Sequence, residues 1–183
     1  MAYIGTSGWM SRYVTHQKNL LDPQDPVGLF LDRVEHLGDK LGPILVQLPP
    51  HWHVNVEWLR SFVEFIPKRH RYAFELRHES WYNDNVFGLL EDHGCAFCIH
   101  DHEDAPSPEM ITADFVYVRF HGAHGDYSGS YGQEVLASWA DRLSNWGQQG
   151  LDIYAFFNND WHAHAINNAQ HLRELLTERQ SGD

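Results

Sequence analysis

Glu75, Arg77 and His78 follow a short apolar run, Tyr72-Ala73-Phe74, and Arg119 and His121 close another, Phe115 to Val118. Alternate residues of an extended chain share a face, so Glu75 lies beside Arg77, and Arg119 beside His121. A carboxylate within an apolar run is costly to bury unless it is paired. The pattern therefore has two readings. One is an acid/base site in which Glu75, His78 and His121 move protons while Arg77 and Arg119 hold an anion. The other is a structural Glu–Arg pair that closes a strand end. Further polar groups end similar runs: Gln47 after Ile44 to Val46, Asp101 after Cys95 to Ile99 and His100, and Asn158 and Asn159 after Ile153 to Phe157. Amides at such positions orient hydroxyls without charge, or cap the following helix. Thr6 and Ser7 belong to a small-residue turn, Gly5 to Trp9, whose backbone N–H groups suit an anionic oxygen. Trp9 and Trp81 each follow a strand end and offer a ring face to a sugar, or fill the core. His100-Asp101-His102 gathers metal-capable side chains, but neighbours on an extended chain point apart. Asp101 with His78 and His121 would be the more sensible ligand set. No particular metal or cofactor follows.

The runs that carry these residues have the signature of strands. They are short, rich in aromatic and β-branched types, and bounded by turn or helix signals, as expected of strands buried on both faces. A further one, Tyr3 to Thr6, comes first. Between them apolar residues recur at helical spacing: Val27 to Leu41, Val56 to Ile66, Val86 to Leu90, Val135 to Trp146, and Ala165 to Leu176 ahead of a polar tail from about Thr177. Alternating strands and helices predict an α/β fold, a parallel sheet with outer helices. The polar strand ends then share one C-terminal rim, where parallel α/β proteins place their ligands. Two loops reach that rim. One is Asp101 to Thr112; the other, Gly122 to Gly132, has four glycines and two tyrosines and is a candidate lid.

A chain of 183 residues is read as one domain, 1–183, long enough to bury a core. Its formal charge of -12 argues against a nucleic-acid backbone or an anionic membrane as partner. No apolar run approaches the roughly 20 residues of a membrane span. Met1-Ala2-Tyr3 leads straight into a strand, so the expected location is cytoplasmic. Cys95 and Cys98 form a C-x-x-C, yet they lie in a strand, where residues three apart face opposite sides. They are expected to be two small buried residues.

Six blocks in order carry a resemblance: Ile4 to Trp9, Thr15-His16, Leu41 to Pro50, Glu75 to Trp81, Thr112 to Gly122, and Phe156 to Asn159. Together they resemble the YecE-like domain-of-unknown-function family, which implies a TIM-type β/α barrel of no established activity. In that family the stretch after the Gly-Trp motif continues through a second and a third strand–helix unit. Here Trp9-Met10 runs directly into Ser11 to His16, which resembles the segment after the third strand. Two strands are missing by this reading, in keeping with a length below the ~200 residues of the smallest such barrels. Six strands cannot close with eight-strand geometry. Either Met10 to Gln17 forms a makeshift strand, or the first strand pairs directly with Ile44 to Leu48, or a second copy covers the gap as a homodimer.

The sequence thus predicts an incomplete TIM-type barrel, with a rim pocket for a small anionic, sugar-like or carboxylate molecule. Acid/base enzyme and non-catalytic binding module, or decayed pseudoenzyme, remain the two function classes.

Overall fold

The computed structural model describes residues 1–6, 24–102, 106–124 and 127–181. Among these residues six strands make one sheet: β1 (Ala2–Thr6), β2 (Ile44–Gln47), β3 (Tyr72–Glu75), β4 (Ala96–His100), β5 (Phe115–Phe120) and β6 (Asp152–Phe157). Among the described residues five helices follow, one after every strand but β4: α1 (Gln24–Val34), α2 (Val56–Phe65), α3 (Asp84–Asp92), α4 (Gln133–Gln148) and α5 (His164–Ser181). The strand order is β1-β6-β5-β4-β3-β2, with every neighbouring pair parallel. This is an α/β fold with an unclosed sheet, in keeping with an incomplete TIM-type barrel. β1 and β2 stand at opposite ends of the order, so the first strand does not pair with Ile44 to Gln47. The alternative strand, Met10 to Gln17, lies outside the described residues.

Local chemistry explains the helix limits. Asn55 caps α2 by accepting from Trp58 N at 3.1 Å, and Pro67 follows its end. Asn83 caps α3 through Val86 N at 3.2 Å, and Gly94, at φ +62°, turns the chain into β4. The expected helix from Val27 to Leu41 holds only to Val34. Beyond it, Glu35–Lys40 is a 3-10 turn broken at Gly38, and Leu37 is left exposed. The polar tail expected from Thr177 is instead the last turn of α5. Arg179 Nε pairs with Asp141 Oδ1 at 2.7 Å and ties that turn to α4.

The sheet has two differently filled faces. Val46, Phe74, Phe97, Ile99, Val118 and Phe157 meet the helices in the main core. Leu45, Ala73, Ala96, Cys98, Phe115 and Tyr117 line the inner face, with Tyr154 and Phe156 packed against them. Burial on both faces holds for β2 to β5, but β6 alternates, its inner-facing Asp152, Tyr154 and Phe156 being half-buried. β6 lies one strand from the open edge, so less protein covers that side. Cys95 and Cys98 are free and buried in different clusters, as their spacing predicts. Burial pushes the Cys95 thiol up to about 11 and the Cys98 thiol well above its ordinary value, so neither is a ready thiolate.

Candidate functional site

Strand register builds the site. Leu45, Ala73, Cys98 and Tyr117 face inward, so Gln47, Glu75, His100 and Arg119, each two residues on, share that face at the C-terminal ends. Gln47 is aligned with Glu75, and His100 with Arg119.

Glu75 is fully buried between two guanidinium groups. Its Oε1 accepts from Arg77 Nε at 2.5 Å, and its Oε2 from Arg119 Nη1. Arg119 Nη1 also donates to Gln47 Oε1 at 3.0 Å. The Asn158 amide, oriented with its oxygen inward, accepts from Arg119 Nε at 3.1 Å and from Nη2. Arg119 is thereby engaged on all three nitrogens by residues of β2, β3 and the end of β6. Burial alone would raise the pKa of Glu75, but the charges of Arg119 and Arg77 outweigh it. The carboxyl is held well below the usual range.

His121 is equally buried and links this pair to Asp101. Its Nε2 lies 3.1 Å from Arg77 Nη2 and 3.5 Å from Glu75 Oε1, and its Nδ1 lies 3.7 Å from Asp101 Oδ1. A guanidinium can only donate, so the shorter contact makes Nε2 an acceptor and puts the ring proton on Nδ1, which has no hydrogen-bond partner among the described residues. Asp101 also accepts from His121 N at 2.7 Å and from the Tyr131 hydroxyl at 2.5 Å. The outward Nη2 of Arg77 has a second partner, the Tyr127 hydroxyl, at 2.9 Å. His100 sits beside the cluster with Nε2 3.2 Å from Leu76 O, while its buried Nδ1 has no hydrogen-bond partner among the described residues. Burial brings its pKa down to about 4.

Gln47, Glu75, Arg119 and Asn158 thus form one connected network, joined by Arg77, and by Asp101 through His121. The other candidates stand apart. His78 is committed to the turn after β3: its Nδ1 accepts from Ser80 N at 3.2 Å, and its ring packs 3.9 Å from that of His53. Trp81 is a core residue and no ring platform on the rim. It is 1% exposed and its Nε1 donates to Trp52 O at 2.6 Å. Asn159 holds the loop after β5, donating to Gly129 O at 2.8 Å and Asn168 Oδ1 at 3.0 Å. The side chain of Thr6, and Ser7 and Trp9 altogether, lie outside the described residues. With His78 engaged elsewhere, the Asp101–His78–His121 metal set does not assemble, and no other such group gathers among the described residues.

Tyr127 and Tyr131 are the site residues that the sequence did not single out. Their glycine-rich loop was conspicuous, but which tyrosine reaches which partner depends on how it folds back. At Gly122, φ is +106° and an added Cβ would meet Ser128 O at 2.1 Å, so only glycine permits that return.

An open parallel β/α sheet with a buried polar cluster at its C-terminal rim defines the class of protein. The family model described as "Protein of unknown function DUF72" matches residues 3–182, and the chain belongs to that family. Its fold is similar to that of a DUF72 family protein from Thermotoga maritima, with a TM-score of 0.81 and 27% identity over 91% of this chain and 71% of that one. A DUF72 family protein from Enterococcus faecalis gives 0.70 and 22% over 88% and 72%. No curated protein matches the sequence.

Proposed function

We propose that the rim binds a small, oxygen-rich anion, a carboxylate or a sugar-like acid or phosphate. The observation that carries this reading is the charge count around Glu75. Two guanidinium groups share the Glu75 carboxylate, and among the described residues the outward Nη2 of Arg77 meets only an imidazole nitrogen and a phenol. An anion displacing the phenol would give that nitrogen a charged acceptor. Glu75 is better suited to anchoring the guanidiniums than to acid/base work, because a carboxyl held so low has no proton to give near neutrality. His121, with a proton on Nδ1 and a carboxylate behind it, is the better proton carrier in an enzymatic version of this reading. The test is a thermal-shift screen of small carboxylates and phosphomonoesters, repeated on Arg77→Met. The variant should lose ~1.5–3 kcal/mol of binding. Undiminished affinity would remove Arg77, and this reading, from the site.

A second reading, a non-catalytic homodimer, is favoured by the open sheet. Neither β1 nor β2 has a strand on its outer side among the described residues. Both readings place the protein in the cytoplasm without nucleic acid or membrane; among the described residues no helix is long and apolar enough to cross a membrane.

A further inference from the structure

The most basic stretch of this acidic chain, Lys68-Arg69-His70-Arg71, lies at the opposite end of the sheet from the rim, in the turn from α2 into β3. It borders a cleft of about 230 Å³ whose other walls include Tyr72, His93 and Asp114, at the N-terminal ends of β3 to β5. Two buried polar atoms of this wall, Tyr72 Oη and His70 Nε2, have no hydrogen-bond partner among the described residues, although Tyr72 is only 4% exposed. His70 Nε2 does stand 3.5 Å from Glu35 Oε1, but that is long for a hydrogen bond. Their rings are neighbours, 6.4 Å apart edge to face. An orphaned buried hydroxyl is costly, and a ligand or a water in the cleft would recover that cost.

We propose that this cleft is an anion site separate from the rim, taking a phosphate group, free or as a phosphomonoester. Its available groups are almost all donors or cations. Lys68 is exposed and has no ion-pair partner among the described residues. His93 donates its Nδ1–H to Leu89 O at 2.9 Å, so its Nε2 can donate to an anion in the cleft only when the ring is a cation. Arg69 and Arg71 are paired with Glu35, Asp114 and Asp152. The acids facing Arg69 and Arg71 are exposed or partly so, and surface pairs of this kind exchange partners at little cost. Burial pushes the Tyr72 phenol up to about 12, so at neutral pH it keeps its proton and serves as a donor. A cleft of this volume admits a phosphate group and excludes most of a larger molecule, whose remainder would have to lie outside it.

Inorganic phosphate is the probe, titrated at constant ionic strength while the imidazole resonances of His70 and His93 are followed by NMR. Both should move with phosphate, and neither with chloride or acetate. Tyr72→Phe should weaken phosphate about tenfold, the loss of one hydrogen bond to a charged group, without lowering the melting temperature. Lys68→Gln should weaken it too, whereas Arg77→Met, which tests the rim, should leave this titration unchanged. Unmoved histidines would overturn the site. So would a Tyr72→Phe variant with full phosphate affinity, since a water alone would then satisfy the hydroxyl. A response abolished by Arg77→Met would assign the phosphate to the rim and overturn the second site.

Discussion

Glu75 on β3 and Arg119 on β5 meet across the intervening strand β4, with side chains 0% and 7% exposed. The contact spans three strands at their C-terminal ends and is extended by Arg77 on one side and by Gln47 and Asn158 on the other. So deep a pair is at once a structural tie and a source of directed positive charge. Its strength depends on every member being present, because a buried charge without its partner is far costlier than an absent pair.

Glu75→Gln should therefore be severely destabilising. It keeps the shape of the side chain but strips the counter-charge from two buried guanidiniums. Breaking such a pair costs about 3–5 kcal/mol, or on the order of 10 °C in melting temperature for a chain of this size. Urea titration should show a lower midpoint at an unchanged slope. A midpoint equal to that of the parent would mean that the two arginines find other counter-charges.

Acid should weaken the fold in two steps that can be separated. The pKa of His100 falls from 6.5 to about 4 on folding. Between those values the unfolded chain binds a proton that the folded one does not, so stability is full above pH 6.5 and falls toward pH 4, by at most about 1.4 kcal/mol per pH unit. Glu75 acts lower down: its folded pKa is depressed, so its contribution is present above the ordinary carboxyl range and is lost as pH falls through that lowered value. His100→Gln should flatten the upper step alone in denaturant melts taken across this range. An unchanged slope would assign the upper step to another histidine.

Most of this architecture is written in local chemistry. Apolar runs ending in Gln47, Glu75, His100 and Arg119 mark the strands and their polar ends, because residues two apart in a strand share a face. Which face each residue uses beyond the strand is set by turns, and there the sequence is mute. His78, one residue past Arg77, turns away to cap Ser80, and Trp81 drops into the core. Helical periodicity likewise ran through Leu37 and Leu41, although Gly38 ends the regular spiral. The partner of Arg77 was illegible for a different reason. Tyr127 comes from a loop whose path depends on long-range hydrogen bonds to Asn159 and Asn168.

That loop gives a further expectation. Gly122→Ala forces a Cβ against Ser128 O and onto a positive φ, so the return of the chain over His121 should fail locally. A strained position of this kind costs ~1–3 kcal/mol. The damage should show as faster hydrogen exchange and proteolysis between Gly122 and Tyr131, with β2 to β4 as protected as before. Uniform loss of protection across the sheet would mean that the loop folds as one unit with it.

The open sheet bears on how the chain assembles. Tyr3 on β1 is 46% exposed and stacks 4.8 Å from Tyr154 on β6, whose inner face is itself only half covered. An aromatic surface beside a strand edge is the kind of feature that monomers usually blunt with charge or bulges. A second copy seated there would cover the edge and the aromatic pair together, and a stable interface of that kind needs about 1,000 Å² or more. Sedimentation velocity at micromolar concentration should then show a dimer. Tyr3→Lys places a charge on the inner face of β1, so it should shift the population toward monomer while leaving the rim network intact. A parent protein that sediments as a monomer at every concentration would end the homodimer reading and leave the proposed anion binding at the rim as the remaining one.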